Sequence, residues 1–477
     1  SEINGQGVPD GQLCLSRPEV LNLVVQNLEK KIRANPGPVY WSVSQNDNYL
    51  ACQCERCREL DRNYGGPSGT MIWFVNQVAD AVKVYSVKDP GVYLRELANP
   101  DASRATFAAA DERYNRIFEA ARQTFRQNAT DVFMDCPSRE RAGWLCDSFF
   151  TARSASDLTG TTLIEHNFFE NFLLPERFEH LPDGMLPMCY PADHNDGVFI
   201  PNWALWFVVQ LEEYAARSGE RTIVDGLRAK VLRLMEFFQQ YENADGLLEK
   251  LPSWVFVEWS KANEFVQDVN YPSNMLYAAA LSTAGRIYGV AEWTAKAERI
   301  RETIRRQSFD GQFFVDNAVR RDGKLQVTQN HSEVCQYFAF FFGVASPQSH
   351  AELWNTLCQR FGPDRAQTKA FPEVHAANSF VGNMLRMELL SRGGRNQQIL
   401  DESIAYLLYM AERTGTLWEN VDERASCNHG FASHIVHTLY REWSDGALGR
   451  ANAIELADNI LSSEESKLLL PLQFPSL

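Results

Sequence analysis

The sequence predicts a mainly α protein, an (α/α)6 barrel preceded by a small α/β segment. Three observations carry that prediction. Apolar residues recur three or four apart through almost everything after residue 104, the spacing of one-faced helices. These segments number about a dozen and come in pairs separated by short breaks. No fixed repeat period runs through them, which favours a closed toroid of six hairpins over an α-solenoid.

Residues 1–82 have a different character. RPEVLNLVVQNLEKKIRANPG reads as a helix ended by Pro-Gly, VYWSVS as a short strand and GTMIWFVNQVADAV as a second helix. That is βα grammar. A (β/α)8 barrel needs roughly 200 residues or more, so the segment is expected to be a remnant of a larger α/β domain. Residues 83–103 are assigned to a linker, 104–443 to the barrel and 444–477 to a tail. The barrel opens with Phe107, Tyr114, Ile117, Phe118, Ala121 and Phe125 on one helical face. Similar segments follow from NWALWFVVQLEEYAARSG and TIVDGLRAKVLRLMEFFQQY to HGFASHIVHTLYREW, many of them stopping at Gly, the usual residue after a helix end.

The 477 residues are 45% hydrophobic and 12% aromatic, enough for a sizeable core. Lys and Arg number 46 against 61 Asp and Glu, a net charge of −15, and no dense basic run is present. Nucleic acid and polyanionic partners are thereby disfavoured, while neutral sugars remain easy to accommodate. No stretch approaches the roughly 18 uninterrupted apolar residues of a membrane span, so no membrane insertion is expected. The chain opens SEINGQG, with neither Met nor a basic-then-apolar leader. A removed leader or a piece of a longer chain is expected, with a periplasmic or secreted location favoured over the cytoplasm. Oligomeric state is not legible. Of the ten Cys, most are scattered singly and read as small buried thiols.

The densest chemistry lies in D-C-P-S-R-E-R-A-G-W-L-C-D, Asp135 to Asp147. Glu140 stands between Arg139 and Arg141, with Trp144 following. Charged side chains are rarely fully buried unless paired, so an apolar core segment would not hold this run. A pocket that orients a polar ring and tunes an acid would. The alternative is a loop-to-helix junction with Asp135 as cap, Pro137 in the first turn and a surface ion-pair cluster. A second cluster, G-T-L-W-E-N-V-D followed by C-N-H-G, places Glu419 beside Trp418 with His429 opening the next helix. In a closing ring the first and last hairpins are neighbours, so loops at matching ends face one mouth. Between them lie Met188–Gly197, with Asp193, His194 and Asp196 able to take sugar hydroxyls, and Ser253–Asn263, with Glu258 beside Trp259. Neither carries diagnostic metal-ligand spacing, and no cofactor is expected.

The first run resembles the acid-bearing motif of the α-L-rhamnosidases of glycoside hydrolase family 78, and G-T-L-W-E with its downstream N-H resembles their second catalytic motif. The likeness covers about residues 102–443. It implies an inverting (α/α)6 hydrolase of terminal α-L-rhamnose acting on a carbohydrate substrate. It also implies Glu140 as general acid and Glu419 as general base, with carboxyl groups roughly 6.5–9.5 Å apart. Asp135, Arg139, Trp144, Asp196, Glu258, Trp259, Trp418 and His429 become expected substrate contacts. Two departures stand out: one residue fewer between the first Asp and the Glu than in many members, and Val257-Glu258-Trp259 where many have Gly-Asp-Trp. Another sugar, or binding without turnover, is the competing expectation. W-S-V-S-Q-N-D-N (Trp41–Asn48) with C-Q-C-E-R-C (Cys52–Cys57) resembles a slice of a glycosidase-like (β/α)8 domain of unknown function. Gln45, Asn46 and Asp47 fall just after its strand, and the three cysteines are expected to have a local structural role rather than to bind zinc.

Overall fold

The computed structural model describes residues 2–3, 6–7, 11–34, 43, 51–64, 66–82, 107, 109–137, 139–192, 194 and 196–444. Apart from Val43 and Ser444, the expected strand VYWSVS, the linker and the tail lie outside them, as do Gln45, Asn46, Asp47 and Asp193. The N-terminal segment has a two-residue antiparallel pair, β1 (Glu2–Ile3) with β2 (Gln6–Gly7), then α1 (Pro18–Ala34), α2 (Glu55–Tyr64) and α3 (Pro67–Val82). Helices α1 and α2 both pack on α3. Helix α2, directly behind the cysteine run, is an addition to the sequence expectation; its CERCRELDRNY stretch is too polar for a clear apolar stripe.

The barrel alternates outer and inner helices. In chain order they are α4 (Glu112–Asn128), α5 (Leu145–Thr159), α6 (Leu163–Asn171), α7 (Pro201–Ser218), the short α8 (Thr222–Gly226) and α9 (Arg228–Gln239). The second half holds α10 (Tyr271–Tyr288), α11 (Ala291–Ser308), α12 (Glu333–Phe341), α13 (Ala351–Arg360), the one-turn α14 (Arg365–Thr368), α15 (Met384–Arg392), α16 (Asn396–Thr414) and α17 (Ile435–Ser444). Six of these form a ring in which each packs on the next: α5, α7, α10, α12, α15, α17 and back to α5. Burial separates the two shells. Inner α10 buries an unbroken run from Tyr271 to Gly285, whereas outer α11 buries only a stripe of Trp293, Ala297, Ile300, Thr303, Ile304 and Ser308. An inner helix touches neighbours on all sides, so its sequence is apolar and small all round; an outer helix needs one face.

Outer helices α4 and α16 also pack together, closing the seam between the first and last hairpins. The predicted face of α4 is buried at Tyr114, Ile117, Phe118, Ala121 and Phe125, while Phe107 precedes the helix and stacks on Phe118 at 4.8 Å. The single helix expected over TIVDGLRAKVLRLMEFFQQY is broken. The break falls at Leu227 (φ −79°, ψ −7°), still in the right-handed region, next to Gly226, a poor helix former. A hairpin of β4 (Asn317–Arg321) and β5 (Lys324–Val327), joined through β4 to β3 (Val269–Asn270), fills the loop before α12. No described helix is long and apolar enough to cross a membrane.

Candidate active site

An outer segment carries the chain back between successive inner helices, so the loops entering the inner N-termini share one mouth. Each helix aims unpaired N–H groups and the positive end of its dipole there, which favours acidic side chains. The Asp135–Asp147 run is the loop entering α5. Asp135 N–H donates to the Ala142 carbonyl at 3.1 Å and Ala142 N–H donates to Asp135 Oδ1 at 2.9 Å, folding the chain around Glu140. Arg141 turns the loop with φ +53°. The junction alternative does not hold: α5 begins at Leu145, its cap position is Trp144, and Asp135 is buried rather than capping.

The loop entering α17 is stitched to the end of α4 and to this first loop. Leu417 N–H donates to Thr124 Oγ1 (2.8 Å), Asn128 donates to Asn428 (2.8 Å), and Gly430 N–H donates to the Asp135 carbonyl (2.6 Å). Glycine is required at 430, because a Cβ there would lie 2.5 Å from the Met134 carbonyl oxygen. The ring closure therefore brings residues almost three hundred positions apart into direct backbone contact.

The result is a compact set of charges. Arg139 bridges the two glutamates: its Nε is 3.4 Å from Glu140 Oε2 and its Nη2 is 3.4 Å from Glu419 Oε2. His429 Nε2 is 3.0 Å from Asp147 Oδ1, and its Nδ1 is 4.0 Å from Glu419 Oε2. Ser426 N–H donates to Glu419 Oε2 at 3.2 Å, and the Cys136 thiol donates to Glu140 Oε2 at 3.2 Å. Carboxylate oxygens of Asp135 and Glu140 and the Cys136 sulfur lie within 4.8 Å of one another, with the Arg139 guanidinium beside Glu140 as local positive charge.

Electrostatics divide these acids. Burial, and then the Glu140 charge, push Asp135 well above the usual carboxylate range. Burial pushes Glu140 up too, but the adjacent Asp135 and the Arg139 charge outweigh it and hold Glu140 at about 2. Two carboxyls this close retain one proton between them. Burial alone would lower His429; the Asp147 hydrogen bond and the Glu419 charge outweigh it and raise the imidazole to about 9. His429 is thus a cation with both ring nitrogens as donors. Buried Asp135 Oδ2 and His429 Nδ1, both within this charge set, and Trp203 Nε1, in the first turn of α7, make no hydrogen bond of normal geometry. Such buried polar atoms call for a partner.

The expected contacts do not all converge. Trp144 faces the mouth in edge contact with His194 at 5.5 Å. Trp259 is 37% exposed beside Trp254 and Phe256, an aromatic rim. Asp196 is exposed, with Oδ1 accepting from Val198 N–H at 3.0 Å in its own turn. Glu258 and Trp418 are corrections. Glu258 is fully buried and accepts from the backbone N–H groups of Asn378 (3.2 Å) and Gly382 (3.0 Å), clamping the turn Ser379–Asn383, where Val381 has φ +67°. A Cβ on Gly382 would meet its Oε2 at 2.5 Å. Trp418 is 2% exposed, with its indole N–H donating to Thr414 Oγ1 at 2.8 Å. Both belong to the packing that holds the loops. The sequence reading gave no role to Asp147 or Ser426; Asp147, three residues after Trp144 in the first turn of α5, was the findable one.

Residues 102–442 match the bacterial alpha-L-rhamnosidase 6 hairpin glycosidase domain. The chain belongs to this rhamnosidase family. Residues 3–113 match a domain of unknown function (DUF4838). No curated protein matches the chain. Among solved structures, the GH78 family rhamnosidase of Bacillus sp. GL1 is similar at TM-score 0.62 and 22% identity, over 72% of this chain and 36% of that one. The Klebsiella oxytoca rhamnosidase with rhamnose bound follows at 0.57 and 18%, over 72% and 66%. The Aspergillus terreus α-L-rhamnosidase follows at 0.54 and 16%, over 70% and 40%. At these identities the likeness establishes the shared barrel, and this rhamnosidase-family chain spans 36% to 66% of the three relatives' lengths.

Proposed function

We propose that this chain hydrolyses terminal α-L-rhamnosides with inversion at the anomeric carbon. The observation that carries the reading is Arg139, 3.4 Å from each of two carboxylates that enter from the first and last hairpins. Family membership supplies the sugar class. Glu140 acts as general acid and Glu419 as general base. Asp135, Arg139, Trp144, Trp259 and His429 orient the sugar, with the unpartnered donors Trp203 Nε1 and His429 Nδ1 available to its hydroxyls.

The proton economy follows from the pair. In the free site the shared proton resides on Asp135, with Glu140 ionised against Arg139. A bound sugar excludes water and adds to the burial already pushing Glu140 up, and the proton passes across to it. Glu140 then donates to the departing glycosidic oxygen, while Glu419 takes a proton from water attacking the opposite face. Imidazolium His429, fixed by Asp147, lies 4.0 Å from Glu419 and places positive charge beside that carboxylate.

The test is hydrolysis of an aryl α-L-rhamnoside, with the first-formed anomer of free rhamnose followed by NMR. The β anomer is expected first. The α anomer would remove Glu419 as a water-activating base, and inactivity here with turnover of another glycoside would remove rhamnose.

A further inference from the structure

The N-terminal segment holds a second constellation, remote in sequence from the barrel. Cys14 lies in the loop before α1, Cys52 and Cys54 precede α2, and Cys57 sits in the first turn of α2. Ligand atoms of all four fall within 4.8 Å of one another, and Cys14, Cys52 and Cys57 are buried. From Cys14 Sγ the distance is 3.7 Å to Cys54 Sγ and 3.8 Å to Cys57 Sγ. A disulfide would bring two sulfurs to about 2.05 Å. A tetrahedron with metal–sulfur bonds of about 2.3 Å has edges of about 3.8 Å, matching the observed spacing.

Ordinary packing of small apolar thiols is the competing account, and the composition of the cluster argues against it. Its buried members are Cys14, Cys52 and Cys57, with Cys54 against them; among the described residues no Leu, Val, Phe or Ile takes part. The apolar residues of this segment gather separately, around Phe74, Val78 and Val82. Ser16 Oγ lies 3.2 Å from Cys57 Sγ, placing a hydroxyl beside the sulfurs. The sequence pattern C-x-C-x-x-C lacks a fourth ligand nearby; folding supplies it from Cys14.

We propose that Cys14, Cys52, Cys54 and Cys57 bind one structural zinc ion. Four thiolates complete a tetrahedron and leave no open position for substrate or water, so the ion's work is mechanical. It would tie the loop before α1 to the start of α2. That suits a segment in which α1 contributes no fully buried residue, since small units with little core commonly need a metal or disulfide.

The test uses the full chain, purified reduced and without chelators. Elemental analysis should find about one zinc per chain. After removal of the zinc, added Co2+ should give the visible and near-ultraviolet absorption of tetrahedral thiolate-bound cobalt. Cys14→Ser and Cys57→Ser should each lose the zinc and that spectrum, whereas Cys358→Ser, a buried thiol in the barrel, should keep both. Should either variant fail to fold, the cobalt titration of the unaltered chain decides alone. A reduced chain that takes up neither zinc nor cobalt, one carrying iron instead, or a mass spectrum showing these cysteines joined in disulfides would overturn the proposal.

Discussion

Of the barrel's charge networks, one at its mouth and one deeper use the same residue types for opposite ends. In the deep one, Arg153 on α5 lies 2.7 Å from Glu388 on α15 and donates to Glu213 on α7 at 2.9 Å. Arg217 pairs with Glu165 (2.7 Å) and Glu213 (2.9 Å), and His434 reaches Glu388 at 2.9 Å. Every acid there has a cation. Against burial, Arg153 holds Glu213 at about 2 and Glu388 well below the usual range. At the mouth, Asp135, Glu140, Asp147 and Glu419 share, among the described residues, the two cations Arg139 and His429, and Asp135 Oδ2 and His429 Nδ1 make no hydrogen bond of normal geometry. A network in which every acid is matched by a cation locks inner helices together; one with more acids than cations keeps protons for a ligand. Folding strength and chemical readiness are thus separated along the axis of one barrel.

The largest expected effect lies at the mouth. Glu140→Gln should lose roughly 10²–10⁴-fold in kcat/KM on rhamnosides with poor leaving groups, and far less on activated aryl rhamnosides, whose departure needs little protonation. Its denaturation midpoint should hold or rise. Equal losses on both substrates would take the acid role from Glu140. Asp135→Asn should move the alkaline limb of the pH–rate profile to lower pH, because Glu140 loses the neighbouring carboxyl with which it shares a proton and keeps the Arg139 charge beside it.

Arg153→Met probes the other side. It leaves Glu213 and Glu388 buried without their shared cation and should cost about 3–5 kcal/mol in chemical denaturation. Turnover per folded molecule should be largely kept. Stability unchanged with activity lost would merge the two networks into one.

A smaller effect is pH dependence through His429. Its folded pKa of about 9 lies above the ordinary value of about 6.5, so the folded state binds its proton more tightly. That stabilisation is complete below pH ~6.5 and disappears as pH rises through about 9, on the order of 3 kcal/mol. His429→Gln should flatten the stability curve in that window; parallel curves would contradict the assignment.

Glu258→Gln should do least. Burial raises this carboxyl to about 8, and below pH ~4.5 it is protonated in the folded and unfolded chain alike, so a neutral amide should change stability there by roughly 1 kcal/mol or less. A raised acid loses stability for the fold as pH climbs toward its folded pKa, so at pH 9 the variant should be more stable than the parent. A parent still ahead at pH 9 would mean that Glu258 works ionised.

Much of this was legible in the sequence because it depends on local pattern. Three-and-four spacing specified the helices, and charges crowded between Asp135 and Asp147 marked a loop too polar for a core. Glu419 could be placed opposite Glu140 because a six-hairpin ring must close. Side-chain direction was not legible: Glu258 and Trp418 read as pocket walls but turn inward, toward backbone amides and Thr414. Trp259, beside Glu258 in sequence, points out instead. Adjacent residues in a loop have no fixed period, so only packing decides which faces the ligand.

By itself, then, the sequence determined the helical shells, the order of the hairpins and the two acid-bearing loops, since these follow from periodicity and chain connectivity. The tertiary structure alone decided what stands beside what. It set Arg139 between Glu140 and Glu419, paired His429 with Asp147, and brought Cys14 to three cysteines that are distant in sequence. The reason is range: hydrophobic periodicity acts over a few residues, whereas a proton-sharing pair or a four-sulfur cluster is defined by distances of three to four ångströms across segments that only folding makes neighbours.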